Sequence, residues 1–461
     1  MSDNSQNHSQ NSGPVNRRTF LAAIPAAIAA APFVAAADAP KLAIEGGKPV
    51  RTARLTGFGY PGARLYDEQE KAEVLEAYAT KTLFRYYGPG KPNRVENFEK
   101  EFAAFMGAKY VLAVTSGTAA LHVALTALGV GPGDEVILPA WSWHSCYTTI
   151  VLTGALPVFA EVDESLAIDP VDLEAKITPQ TKAVMVVQPE GVSADMGRIM
   201  AVARKHNLKV LEDVAQSCGA QYKGKRLGTI GDIGIYSFQM HKLLSAGEGG
   251  AVATNDPLLY ERACRFHDLG LLRDLHENAL GKPNAKLPIP GFPGTNYRMN
   301  EMTGGVMRGQ LRKLEGLLSQ LRQNGSFVRQ RLQDLPNLKL RVSHDPDGEI
   351  GWTVGFLLPS RTMRDRFVAA VEAENIPVGS PSSAEVLPPL PYVANKATPH
   401  PAWPSFNSPR GKAIRYGAEC CPRTQDIFGR SAKLTIGRTW TESDLKDIVE
   451  AITKVHRAIL V

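Results

Sequence analysis

The sequence predicts an α/β protein built on a large, mostly parallel sheet, with a smaller α/β region after it. Three observations carry this. Short apolar runs alternate with helical patterns between about 110 and 268, which makes a helix-covered parallel sheet. The run Val210-Leu211-Glu212-Asp213 ends in acid and is followed by a Gly-rich loop, the end of a buried strand where such folds keep their chemistry. A long helical pattern from about Asn300 to Leu335 then bridges to a second, smaller set of elements.

In order, the chain opens with a polar stretch to Val15, then Asn16-Arg17-Arg18-Thr19-Phe20-Leu21 and an Ala-rich apolar run to Ala37. This reads as a signal peptide over 1–37 with an Ala35-x-Ala37 cleavage pattern, and the Arg pair is similar to a twin-arginine export signal. The run is short for a membrane span and holds Pro25 and Pro32. The expected location is therefore the periplasm, or the cytoplasm if the signal is not used. Retention as an uncleaved anchor is another reading. No other segment reads as transmembrane.

Residues 38–62 read as an arm, 63–295 as a large domain, and 296–461 as the bridging helix and small domain. Helices are expected over Glu68–Thr80 and Arg94–Met106, a strand over Tyr110–Val114, and a helix opening at Thr115-Ser116-Gly117-Thr118. Strands follow at 136–138, 157–160, 183–187, 210–213, 233–238 and 250–254. Helices fall at 144–153, 196–206 and 257–268. Residues 269–295 are loop-rich. Asn324-Gly325 is where the bridging helix could break. A strand at 355–358, a helix at 363–374, a Pro/Ser-rich stretch from 377 to 409 and a strand at 433–436 come next. Thr441 caps the last helix with Asp444 in the capping-box position.

With 461 residues, 44% hydrophobic and 21% charged, the chain is an ordinary globular protein with room for two domains. The net charge of +6 is dispersed, so nucleic-acid binding has little support. The five cysteines have neither zinc spacing nor an even count for a disulfide framework, and no metal is expected. There is no G-x-G-x-x-G, which counts against a dinucleotide enzyme.

Lys242 stands alone among Ser245, Ala246, Gly247, Gly249 and Gly250, oddly placed for a surface charge. Pyridoxal phosphate (PLP) needs a lysine for a Schiff base and an acid facing its ring nitrogen, and Lys242 and Asp213 fit those roles. Taken singly, a strand-end Asp and a loop Lys are ordinary features. A helix opening at Ser116-Gly117-Thr118 can bind phosphate through its free N–H groups, although simple capping gives the same pattern. In Trp141-Ser142-Trp143 a ring could stack on the cofactor, or both tryptophans could be core.

The stretch Glu212 to Asp256, with ED-x-AQ, G-x-x-GD-x-G, Ser237-Phe238, Lys242 and Gly247-Glu248-Gly249-Gly250, resembles the core of the DegT/StrS-type sugar aminotransferases. These are PLP enzymes of fold type I, and further matches run from about Tyr86 to the C-terminus. The resemblance implies Lys242 as the Schiff-base lysine and Asp213 as the ring-nitrogen acid. Gly117, Thr118 and Ser237 would contact phosphate, an aromatic at Trp143 would lie on the ring, and Gln216 would bond its oxygen. In Asn296-Tyr297-Arg298-Met299, the Asn would reach the phosphate of a neighbouring subunit, implying a homodimer with shared sites. Arg298 reads equally as a substrate contact or a structural ion pair. The reaction implied moves an amino group from glutamate or glutamine to a keto sugar or cyclitol. A branch that dehydrates sugars carries His in place of the lysine, so Lys242 favours amino transfer.

One departure stands out. The loop Gln188-Pro189-Glu190-Gly191-Val192-Ser193-Ala194-Asp195-Met196 lacks the His or Arg usual in the family and has Pro189-Glu190 instead. Two other readings stay open: an exported PLP-binding sensor without turnover, and a PLP-dependent sugar dehydratase.

Overall fold

Among the described residues, thirteen strands build two sheets and a hairpin. In chain order they are β1 (Tyr110–Val114), β2 (Glu135–Pro139), β3 (Leu156–Ala160), β4 (Thr181–Val187), β5 (Lys209–Asp213), β6 (Gln221–Tyr222), β7 (Lys225–Arg226), β8 (Ile233–Ser237), β9 (Gly250–Thr254), β10 (Lys339–Leu340), β11 (Thr353–Leu357), β12 (Val378–Gly379) and β13 (Ser431–Thr435). The computed structural model describes residues 41–55, 65–90, 92–281, 290–381 and 385–461. The leader expected over 1–37 lies outside them, as does part of the expected arm.

The seven-stranded sheet runs β1-β9-β8-β5-β4-β2-β3. Its ladders are parallel except where β9 meets β1 and β8, so β9 alone is reversed. Every residue of β1, β2, β3, β8 and β9 is buried. That is why these strands read as continuous apolar runs and not as alternating ones: helices cover both faces. The parallel arrangement puts the ends of β1, β5 and β8 on one edge, and the antiparallel β9 starts there.

The helix Glu301–Leu332 packs on the helices Glu68–Ala79 and Arg94–Met106, on the final helix Glu442–Ile459 and on β11. It does not break at Asn324-Gly325. Both residues are buried in it; Asn324 donates to the Gly437 carbonyl at 3.2 Å, and a Cβ on Gly325 would meet the Gly351 carbonyl oxygen at 2.3 Å. The glycine serves close approach of two backbones, which outweighs its poor helix propensity. The smaller sheet, β10-β11-β13-β12, is antiparallel throughout.

The described part of the arm is stapled down. Buried Glu374 accepts from the Ala43 and Val50 N–H groups and from Lys454, and Leu55 N–H donates to the Asn375 carbonyl. The loop-rich region carries a short helix, Asp274–Ala279, and the Pro/Ser-rich stretch carries the helices Pro391–Ala394 and Pro404–Asn407. No helix among the described residues is long and apolar enough to cross a membrane.

Candidate active site

Glu212 and Asp213 are adjacent, so their side chains leave β5 on opposite faces. Glu212 is structural. It accepts from the N–H groups of Gly228 (2.9 Å), Ile230 (2.8 Å) and Gly231 (2.8 Å), which ties down the Gly-rich loop. Asp213 ends β5 with its carboxylate buried. One oxygen accepts from the Ala215 N–H at 2.9 Å and the other from the Cys146 thiol at 3.1 Å. Burial pushes its pKa up, while these two donors and the Lys242 charge hold it down.

Lys242 sits in the loop joining β8 to β9. The loop is fixed by Lys242 N–H to the Gln239 carbonyl (2.9 Å), Met240 N–H to Gly247 (3.0 Å) and Ala246 N–H to Phe238 (2.9 Å). Gly247 takes φ +82°, a left-handed conformation that favours glycine. The side chain is half-buried, and burial lowers its ammonium pKa below the ordinary range, opposed by Asp213, Cys146 and Glu385. A lysine shifted this way holds more of the neutral, nucleophilic amine.

The third part lies on the same edge. Gly250 pairs with both Val114 and Ser237, bringing the end of β1 beside the end of β8. The helix Gly117–Ala127 then starts over Ser237. A Cβ on Gly117 would lie 2.7 Å from the Ser237 Cβ and 2.9 Å from its Oγ. Ser116 caps the helix, accepting from the Ala119 N–H at 3.0 Å. The capping reading of the sequence is therefore right for Ser116, and it leaves the first-turn N–H groups of Gly117 and Thr118 beside a serine hydroxyl. Thr118 is exposed. First-turn amides, the helix dipole and a hydroxyl form an anion cradle.

The structure therefore brings Asp213, Lys242, Ser237 and Gly117 to one sheet edge. Trp143 is 56% exposed, just before the helix His144–Leu152 that carries Cys146, whereas Trp141 is buried. Gln216 is half-buried, and its side-chain oxygen accepts from the Glu190 N–H at 3.0 Å, tying it to the departing loop. Asn296 is exposed. Its segment runs beside the phosphate-type turn, with Thr115 N–H donating to the Tyr297 carbonyl at 3.0 Å and Val114 bridging to Arg298. Arg298 makes an ion pair with buried Asp268, which also pairs with Arg273 at 2.7 Å.

In the unusual loop, Gln188 accepts from the Ala194 N–H at 2.8 Å, and Ser217 Oγ donates to the Gln188 carbonyl at 2.7 Å. Glu190 is buried at φ +46° and pairs with Arg341 at 2.9 Å and with Lys433 of β13. Sequence reasoning missed Cys146, Lys433, Arg341 and Glu385. Cys146 follows Trp143 by three residues but bears no motif, and Glu385 lies in a stretch without periodicity.

The DegT/DnrJ/EryC1/StrS aminotransferase family model matches residues 65–399. The chain belongs to this family. As a DegT/DnrJ/EryC1/StrS aminotransferase it is 34% identical over 397 residues to the spore coat polysaccharide biosynthesis protein SpsC of Bacillus subtilis (strain 168), covering 85% of this chain and 95% of that protein. It is 31% identical over 436 residues to an L-glutamine:2-deoxy-scyllo-inosose aminotransferase of Streptomyces kanamyceticus, covering 91% and 98%. The crystal structure of 3-amino-5-hydroxybenzoic acid synthase superposes with a TM-score of 0.71 at 28% identity, covering 88% of this chain and 99% of that one. The aminotransferase activity and the α/β fold follow from this membership.

Proposed function

We propose that this aminotransferase uses PLP to move the amino group of glutamate or glutamine to a keto sugar or keto cyclitol. The observation that carries the reading is the Gly117–Ser237 approach beside buried Asp213 and half-buried Lys242. A side chain at 117 would fill the cradle, a buried acid at a strand end suits a pyridinium nitrogen, and an amine with lowered pKa suits an aldehyde. The residues present fit the group. Gly117, Thr118 and Ser237 would hold its phosphate, Asp213 its ring nitrogen, Trp143 its face and Gln216 its ring oxygen. When bound, PLP supplies an aldehyde and an electron-accepting ring.

The chain's own residues do the rest. Lys242 would hold the cofactor, and its amine would take and return a proton at the substrate carbon as general base and acid. Asp213, whose carboxylate accepts from the Ala215 N–H and the Cys146 thiol, would hold a proton on the ring nitrogen. Trp143 shields one face from water. Residues 63–295 serve as the cofactor domain, and 296–461 as bridging helix and small domain. Exposed Asn296 serves the phosphate of a second copy, so the working unit is a homodimer with shared sites. The leader directs export by the twin-arginine route, which carries folded, cofactor-loaded protein.

The test is turnover. The PLP-loaded chain is incubated with glutamine and either scyllo-inosose or a nucleotide-linked keto sugar, and products are read by mass spectrometry. An amine product formed in step with loss of glutamine is expected. Loss of substrate hydroxyl without an amine would favour dehydration, and no product from either acceptor would favour a sensor.

A further inference from the structure

Glu385 lies outside every motif, yet its backbone is fixed at the site. Ser142 N–H donates to the Glu385 carbonyl at 3.0 Å, Leu387 N–H donates to the Ala140 carbonyl at 2.8 Å, and Val386 bridges to Trp141. The segment 385–387 is thus fixed by one antiparallel bridge to the peptide that leads to Trp143. The half-buried carboxyl faces the charges of Lys433, Glu190 and Lys242 and the indole of Trp141.

Among the described residues it forms no ion pair. Lys433 is taken by Glu190, whose other oxygen is taken by Arg341. The buried Trp141 indole N–H lies beside the carboxyl and favours its charged form, without reaching full hydrogen-bond geometry. Burial and the Glu190 charge push the Glu385 carboxyl up, and Lys433, Lys242 and the Trp141 indole hold it down. A half-buried acid with no ion pair and one poorly aligned indole donor keeps acceptor capacity for a ligand donor.

We propose that Glu385 recognises the acceptor, its carboxylate taking hydroxyl hydrogen bonds from a neutral, polyhydroxylated keto ring presented to Lys242. This rests on the function proposed above. The donor is the wrong partner: its α-carboxylate would meet Glu385 and Glu190, and the nearby Arg341 and Lys433 are already held by Glu190. A cationic ligand would meet Lys242 and Lys433. Hydroxyls bring donors without charge, and O–H···O⁻ bonds are among the stronger ones.

The test separates the two half-reactions in PLP-loaded full-length protein. Glutamine is mixed with the PLP form, scyllo-inosose with the pyridoxamine phosphate form, and the visible spectrum is followed. Binding of unreactive myo-inositol is measured by calorimetry. Glu385→Gln is expected to weaken the binding of both rings by about tenfold or more, the size of a charge-assisted hydrogen bond. The glutamine half-reaction should change by less than about threefold on the same arithmetic. Glu385→Asp should fall between. Equal loss in both halves, loss confined to glutamine, unchanged ring binding, or a wild type that accepts neither ring would overturn the proposal. A wild type showing no visible cofactor band would instead overturn the reading of function.

Discussion

The Cys146 thiol donates to Asp213 Oδ2 at 3.1 Å, from the first turn of the helix that follows Trp143. One turn of chain thus ties the position of Trp143 to the acid that ends β5. Removing the thiol leaves Asp213 with the Ala215 N–H alone. Cys146→Ala is expected to raise the Asp213 pKa further and weaken PLP binding by about tenfold, while Cys146→Ser keeps most of the affinity. Asp213→Asn should lower kcat by about 10²–10³, as for other lost electrostatic groups. PLP titration and half-reaction rates check both.

Gly117→Ala tests the cradle. The added methyl meets the Ser237 Cβ at 2.7 Å and its backbone Cα at 3.3 Å, which limits relief. The expected cost is about 1–3 kcal/mol of stability. PLP affinity should fall by much more than affinity for pyridoxal, which lacks the phosphate. An equal fall for both would place the phosphate elsewhere.

Glu190 closes the unusual loop onto β13. Glu190→Gln leaves buried Arg341 and Lys433 without their shared partner. The expected loss is about 3–5 kcal/mol in urea unfolding, the range for a broken buried pair. A paired Glu190→Met/Arg341→Met variant should recover part of it. A loss near zero would mean that water already screens the pair.

A buried chain of bonds links Tyr260, His276, Tyr86 and His267, at 2.8, 3.0 and 2.9 Å. Burial, aided by Arg85, holds His276 well below the ordinary imidazole range and brings His267 down to about 3. Both imidazoles are neutral in the fold and take protons on unfolding. Their contribution is present in full above about pH 6.5 and is lost as pH falls towards the folded values. His276→Ala should therefore destabilise most at pH 7.5. The gap to wild type should narrow below pH 6.5 by up to about 1.4 kcal/mol per pH unit. A gap independent of pH would contradict this.

Much of the large sheet was legible because its strands are apolar through and through and end at Asp213 and Ser237, at the edge that holds the candidate site. Trp143, Lys242 and Gly117 were legible through local pattern. The reversal of β9 was not, because a five-residue buried strand reads the same in either direction. Gly325 misled because a glycine that lets two backbones touch looks like one that ends a helix. Glu190, Lys433 and Glu385 were invisible as a group, since their meeting depends on contacts between distant segments. Arg298, open between two roles in the sequence, is held by Asp268.

The central claim is that Lys242 carries the cofactor. Borohydride reduction of the PLP-loaded protein, followed by peptide mass mapping, tests it most directly. A pyridoxyl group on Lys242, absent from Lys242→Ala and not formed once glutamine has bleached the visible band, is the predicted result. A protein that takes no pyridoxyl group, or takes it at another lysine, would contradict the account.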